Sequence, residues 1–293
     1  MKSTCLLAIC LGISSLLPAQ PAGKVIEQLD IHSSFLGRNV HYAVYLPADY
    51  ETSQRAYPAV YLLHGYTDDH TGWLQFGEIN YFADKAIAEG TISPMIIIMP
   101  DADTSWYINS FDGREKYEDF FIKEFIPAME KAFRIKAEKQ FRAVAGLSMG
   151  GYGTLIYAMK YPDYFAAAAP LSSGVFTDDE IMNMRDEDWN RMLAPLYGGK
   201  GLKGKARLTK GWYDNSVLSI IEKKSADELK QVRYWIDCGD DDFLAKGNAY
   251  LHIALKEKNV PHEYRVRDGS HGWVYWRSGI TDALAFISKS FRR

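Results

Sequence analysis

One segment near the middle of the chain restricts the fold more than any other. Phe141–Ala145 is short and nearly apolar, and it runs directly into Gly146-Leu147-Ser148-Met149-Gly150-Gly151. Met149 to Met159 then reads as a helix, stopped by Tyr161-Pro162. A buried strand that turns at once into a helix, with glycines bracketing one serine, is the strand–turn–helix of a nucleophile elbow. The turn forces strained backbone angles on the serine, so its neighbours must lack a Cβ that would clash. The hydroxyl then stands clear of the sheet at a helix N-terminus, where the dipole and free N–H groups favour developing negative charge. The Gly-x-Ser-x-Gly pattern is modest evidence alone; its flanks make Ser148 the candidate nucleophile.

Further apolar runs predict the sheet around it. Pro58–Leu63, Met95–Met99, Phe165–Leu171 and Val232–Ile236 are apolar on both faces, as central strands of a parallel sheet are when helices cover both sides. Lys24–Pro47 reads as two strands around Gly37-Arg38-Asn39, an antiparallel hairpin at the sheet's edge. Tyr117, Phe120, Phe121, Phe125, Ala128 and Ala132 form one apolar stripe on a helix from about Glu115 to Phe133. Lys246–Lys258 and Ile280–Phe291 are further helices. The alternation predicts a doubly wound or hydrolase-type α/β fold with a mostly parallel central sheet and helices on both faces. Residues 174–215 break the pattern with acids, paired glycines and the aromatics Trp189, Tyr197, Trp212 and Tyr213; they are expected to be a partly helical insertion over the active site.

The first 19 residues look removable. Lys2 is followed by the mostly apolar Leu6–Leu17 and by Pro18-Ala19, the shape of a secretory signal peptide cleaved after Ala19. Residues 20–293 are then expected to form one domain, in a secreted or periplasmic protein with no membrane span. Cys5 and Cys10 would leave with the leader, so Cys238 would be the sole cysteine and no internal disulfide could form. Loss of Lys2 takes the formal charge from -3 to -4, which gives no reason to expect nucleic acid as a partner.

A serine needs a base, and in this fold the chain order is serine, acid, histidine. Asp268-Gly269-Ser270-His271-Gly272-Trp273 follows a strand from Glu263 to Val266, so His271 is the candidate base. His252 lies inside a predicted helix and His262 opens a strand. The acid should follow the strand Val232–Ile236, in Asp237-Cys238-Gly239-Asp240-Asp241-Asp242-Phe243-Leu244. Asp242 is preferred, because Phe243-Leu244 can anchor its loop in the core; Asp240 is the alternative. The oxyanion should be held by two backbone amides, Met149 after the nucleophile and Tyr66 after the first central strand. His64 reads as a buried residue shaping that loop. No spacing of His, Cys or Asp suggests a metal site, and the chemistry calls for no cofactor.

Four motifs taken together resemble the esterase D family, which includes S-formylglutathione hydrolases, tributyrin esterases and the feruloyl and acetyl-xylan esterases of carbohydrate esterase family 1. They are Leu62-Leu63-His64-Gly65-Tyr66-Thr67-Asp68-Asp69-His70-Thr71-Gly72-Trp73, the Gly-Leu-Ser-Met-Gly-Gly elbow, Cys238-Gly-Asp-Asp-Asp-Phe-Leu244 and Gly269-Ser-His-Gly-Trp273. The resemblance implies an α/β-hydrolase fold and the triad Ser148, Asp242 and His271. It also implies that Pro100–Tyr107 walls the acyl or leaving-group pocket. Aromatic residues make up 14% of the chain, and Trp73, Trp106, Tyr107, Trp273 and Trp276 are candidates for binding substrate, with Trp212 as a further stacking candidate. The expected function is a secreted serine esterase acting on acetyl or feruloyl esters of carbohydrates, its partner a small-molecule or oligosaccharide ester. A leader fits an intracellular formylglutathione hydrolase poorly. The alternatives are that activity or a short-chain (tributyrin-type) carboxylesterase, an acyltransferase of the mycolyltransferase type, and a non-catalytic binding protein on the same fold.

Overall fold

The computed structural model describes residues 22–291. The expected leader, its cleavage site, Cys5 and Cys10 lie outside the described residues. Eight strands form one sheet: β1 (Lys24–Ser33), β2 (Arg38–Leu46), β3 (Ala59–Leu63), β4 (Ile96–Pro100), β5 (Arg142–Leu147), β6 (Ala167–Leu171), β7 (Arg233–Gly239) and β8 (His262–Arg267). Their order is β1-β2-β4-β3-β5-β6-β7-β8. β1 pairs with β2, and β2 with β4, antiparallel; from β4 through β8 every pairing is parallel. This is the mostly parallel sheet with an antiparallel N-terminal hairpin that the apolar runs predict, and the α/β-hydrolase arrangement that the resemblance implies.

Side chains alternate across a strand, so each central strand feeds two cores. On one face Tyr61, Leu63, Ile98 and Val144 pack with the helix Met149–Lys160 and the helical run of residues 117–132. On the other, Val60, Leu62, Ile97, Ala143 and Ala145 pack beneath the helices Ile79–Ala88 and Trp273–Ser290. Burial on both faces is why β3, β4 and β5 carry almost no polar residue. Cys238 lies near the end of β7 as a buried free thiol, which burial pushes well above its ordinary ionisation range.

Two helices depart from expectation. The run 117–132 is continuous, but Phe121–Phe125 is a π turn. One extra residue in a turn rotates everything after it by about a quarter turn. The stripe therefore continues through Phe125, Ile126 and Met129, while Ala128 is half-buried and Ala132 exposed. The last helix begins at Trp273 rather than Ile280. Trp276, Ile280, Ala283, Leu284 and Ile287 make one buried stripe, so the turn nearest His271 is helical too.

Residues 174–215 hold the short helices Asp178–Asn183, Ala194–Tyr197 and Lys210–Asn215 and a π turn at Trp189–Leu193. Helical structure continues through Val217–Lys223 and Ala226–Leu229 before β7 begins. Among the described residues no helix is long and apolar enough to cross a membrane.

Candidate active site

Parallel strands that all end at one edge bring the loops after them together. Here the loops after β3, β5, β7 and β8 carry Tyr66, Ser148, Asp242 and His271 to the same edge.

Ser148 separates β5 from its helix at φ 55°, ψ -115°, outside the regions open to ordinary side chains. Its backbone is pinned on both sides: Ser148 N–H donates to Leu171 O at 3.0 Å, and Gly174 N–H donates to Ser148 O at 2.9 Å. The elbow's glycines are there for close approach. A Cβ on Gly150 would lie 2.5 Å from Leu63 O, and one on Gly146 would lie 2.7 Å from Gly150 O. The helix therefore packs directly on β3, and the serine is left at its N-terminus.

Ser148 Oγ lies 3.0 Å from His271 Nε2, and His271 Nδ1 lies 2.9 Å from Asp242 Oδ2 and 3.1 Å from Oδ1. Read as a network, Nδ1–H donates to the carboxylate and Nε2 accepts from the serine hydroxyl. Asp242 is only 4% exposed. Burial pushes its carboxyl up, but hydrogen bonds from His271, the Leu244 amide and Ser172 outweigh this and hold it below its ordinary value. Leu244 N–H donates to Asp242 Oδ1 at 2.8 Å. Asp240 is exposed and serves the loop instead, its Oδ1 accepting from the Gly269 and Asp241 amides, both at 3.1 Å.

The anchoring of this loop differs from expectation in one respect. Leu244 is buried, whereas Phe243 is 71% exposed. The Phe243 ring covers His271 from the solvent side, centroids 4.5 Å apart, while Trp276 meets the same imidazole edge-on at 5.0 Å. The imidazole thus touches two aromatic rings.

Met149 opens the helix directly after Ser148, and Tyr66 lies in the loop after β3 on the lining of the cleft over Ser148. Neither N–H has an acceptor among the described residues. The His64 imidazole shapes the Tyr66 loop from below: its Nδ1 donates to Gly65 O at 2.8 Å and its Nε2 accepts from the Ala102 amide at 2.8 Å.

A cleft of about 490 Å³ opens over Ser148. Tyr66, Trp106 and Phe176 make an aromatic wall, and Trp273 and Trp276 border the His271 side. Such a volume suits a small organic ligand. Of the five aromatic residues expected to bind substrate, Trp106, Trp273 and Trp276 line the cleft and two do not. Trp73 is 1% exposed, with Nε1–H satisfied by Leu63 O at 2.9 Å and its ring edge-on against Trp273. Tyr107 is fully buried, its hydroxyl donating to His64 O at 3.1 Å. Both are core residues, because each ring buries its apolar area while its one polar atom finds a backbone acceptor. Trp212 is likewise buried, donating to Asp178 Oδ1 at 2.8 Å. Within Pro100–Tyr107, only Trp106 reaches the cleft.

Phe176, Arg191 and Met192 also line the cleft and carried no sequence signal. Asp240, Asp241 and Asp268 are an exposed acid cluster whose oxygens lie within 4.8 Å of one another, but Asp240 is already committed to two amides.

The Esterase family model, described as "Putative esterase", matches residues 33–287. Esterase Rv1288 of Mycobacterium tuberculosis (strain ATCC 25618 / H37Rv) is 31% identical over 255 residues, covering 82% of this chain and 54% of that protein. The chain thus spans about half the length of that relative. The acetyl esterase of Caldicellulosiruptor saccharolyticus is 25% identical over 271 residues, 90% of this chain and 98% of that protein. A solved ferulic acid esterase superposes with a TM-score of 0.78 at 32% identity, covering 92% of this chain and 99% of that one.

Proposed function

The chain belongs to the Esterase family, so its folded domain acts on carboxylic ester bonds, and from that premise we propose that Ser148, His271 and Asp242 cleave an acetyl or feruloyl ester of a carbohydrate. The observation that carries this reading is the unbroken chain of contacts Ser148–His271–Asp242 at the floor of an aromatic cleft.

The mechanism is acyl transfer in two halves. His271 Nε2 takes the proton of Ser148 as Oγ attacks the ester carbonyl. The N–H groups of Met149 and Tyr66 receive the oxyanion, a contact strongest in the tetrahedral state and so worth more to the transition state than to the substrate. Protonated His271 passes its proton to the leaving alcohol, leaving an acyl-Ser148. Water enters with His271 again as base, and the acid departs. Asp242 keeps Nδ1–H fixed and balances the imidazolium charge.

The carbohydrate-ester assignment is supported by the acetyl esterase and ferulic acid esterase relatives and by the cleft itself. Tyr66, Trp106 and Phe176 line the cleft with rings suited to a planar acyl group, and Trp273 adds one suited to stacking on a sugar. We place the enzyme outside the cytoplasm on the leader-like first 19 residues, an assignment that N-terminal sequencing of exported protein tests. Rates on p-nitrophenyl acetate, p-nitrophenyl butyrate, methyl ferulate and acetylated xylan test the substrate. Activity on the simple esters with none on ferulate or acetylated xylan overturns the carbohydrate reading while leaving the esterase intact.

A further inference from the structure

The acid and the base of the site come from different loops, and those loops are fastened to each other. Asp240 N–H donates to Arg267 O at 3.1 Å, Asp241 N–H donates to Gly269 O at 3.1 Å, and Gly269 N–H donates to Asp240 Oδ1 at 3.1 Å. This clasp spans the ends of β7 and β8, between the strands and the two catalytic side chains.

Beneath it lies a polar cluster, buried at Asp237 and Tyr275 and open to solvent at Ser278, that the proposed chemistry does not use. Asp237, fully buried on β7, accepts from Arg267 Nη2 at 2.9 Å and from Arg267 Nε at 3.2 Å. Tyr275 donates its hydroxyl to the same carboxylate, and the Arg267 guanidinium lies 4.2 Å from the Tyr275 ring centroid. Arg267 Nη1 reaches Ser278 Oγ at 2.6 Å, whose hydroxyl returns to Tyr275 O at 2.7 Å. Arg267 precedes His271 by four residues, and Tyr275 follows it by four. The histidine therefore sits in a short span held at both ends to one carboxylate. Asp237 N–H and C=O lie in the sheet, and Ser172 N–H donates to Asp237 O at 2.7 Å, so the anchor itself is fixed.

An ion pair with its carboxylate buried and its guanidinium half-buried rarely adds much net stability, since desolvation offsets the attraction. What three donors converging on one carboxylate do supply is geometry: strand end, loop and helix start cannot shift independently. We infer that Asp237, Arg267 and Tyr275 are positioning residues that hold His271 at its working distance from Asp242. The inference rests on the catalytic reading of His271 above.

The test uses Tyr275→Phe, Arg267→Lys and Arg267→Met in the full chain. Activity on p-nitrophenyl acetate is expressed per site titrated with a fluorophosphonate, so unfolded protein does not count. A displacement of the order of an ångström in a catalytic group costs up to about 10²-fold. Tyr275→Phe should lower kcat per site about tenfold with KM within about twofold, Arg267→Met about a hundredfold, and Arg267→Lys should recover part of that loss. In a Ser148→Ala background, which needs no turnover, the downfield Nδ1–H resonance of His271 should broaden by faster exchange with water in each variant. Lower melting temperatures with unchanged kcat per site and an unchanged resonance overturn the inference and leave a merely structural cluster. A wild type that hydrolyses no ester overturns the esterase reading, while the resonance still decides this one. Should Arg267→Met not fold, the isosteric Tyr275→Phe carries the test alone.

Discussion

His271 Nδ1 sits 2.9 Å from Asp242 Oδ2 across 29 residues of chain, whereas Asp240, two residues before Asp242, turns its carboxylate to the Gly269 amide. The two acids should therefore separate cleanly on substitution. Asp242→Asn should lower kcat by about 10⁴, because an amide opposite Nδ1 stabilises the wrong tautomer. Asp240→Asn keeps an oxygen for the Gly269 amide and should stay within about tenfold of wild type. Steady-state kinetics on p-nitrophenyl acetate decides between them; equal losses would contradict the assignment of the acid.

Ser148→Ala should reduce kcat by about 10⁴–10⁶ and abolish fluorophosphonate labelling. The circular dichroism spectrum should not change, since the alanine removes one hydroxyl and no packed atom but Oγ. Residual turnover near wild type would remove Ser148 from the mechanism.

Trp73 and Phe176 should fail in opposite ways. Trp73→Ala opens a cavity in the core beneath the helix Trp273–Ser290 and should cost about 3–5 kcal/mol of stability in urea unfolding. Phe176→Ala, on the cleft wall, should raise KM for methyl ferulate several-fold more than for p-nitrophenyl acetate, with little change in unfolding midpoint. A Trp73 variant with native stability and altered KM would return that residue to the substrate-binding set.

Phe243→Ala tests the ring that covers the base. The side chain is 71% exposed, so stability should change by no more than about 0.5 kcal/mol. Its ring lies over His271, and its loss should raise KM and speed reaction of the imidazole with diethyl pyrocarbonate. Unchanged reactivity would mean that the ring shields nothing.

The pH dependence of stability should show the pair His70 and Asp101. The Asp101 carboxylate, 3.7 Å from His70 Nδ1, raises that imidazole above its ordinary value of 6.5. Burial works against the Asp101 carboxylate, yet His64, His70 and the Asp103 amide hold it well below its ordinary 3.8. A raised histidine stabilises fully below pH 6.5 and loses its contribution as pH rises through its folded value. A depressed carboxyl stabilises above 3.8 and loses its contribution only as pH falls through its lowered value. Melting temperature measured from pH 5 to 9 should thus fall on the alkaline side in wild type and flatten there in Asp101→Asn. Parallel curves would refute the coupling.

Ser148 and His271 were legible in the sequence because their signals are local: glycines where a Cβ would strike β3, and a histidine in a tight turn after a strand. The sheet was legible for a related reason, since strands buried on both faces must be apolar throughout. Asp242 was only partly so. Nothing in three consecutive aspartates says which one points inward, and the preferred reason, two anchoring apolar neighbours, holds for Leu244 but not Phe243. Trp73 and Tyr107 were misplaced because a large aromatic beside a catalytic loop looks the same in sequence whether its ring turns to the cleft or to the core. Phe176 lies in irregular chain just before Asp178–Asn183, Arg191 and Met192 come from a short π turn without sustained periodicity, and the phase change at Phe121–Phe125 leaves no composition signature. The clasp between Asp240 and Gly269 depends on two loops meeting in space, which no spacing encodes.

Cys238 gives the molecule a built-in clock. Its sulfur is sealed near the end of β7, beside the strand ends that carry the acid and the base, and burial keeps the thiol protonated. Alkylating reagents can reach it only when that region opens. The rate at which Cys238 itself is modified in native buffer therefore counts opening events of the strand ends that carry Asp242 and His271, and fluorophosphonate bound at Ser148 should slow the count.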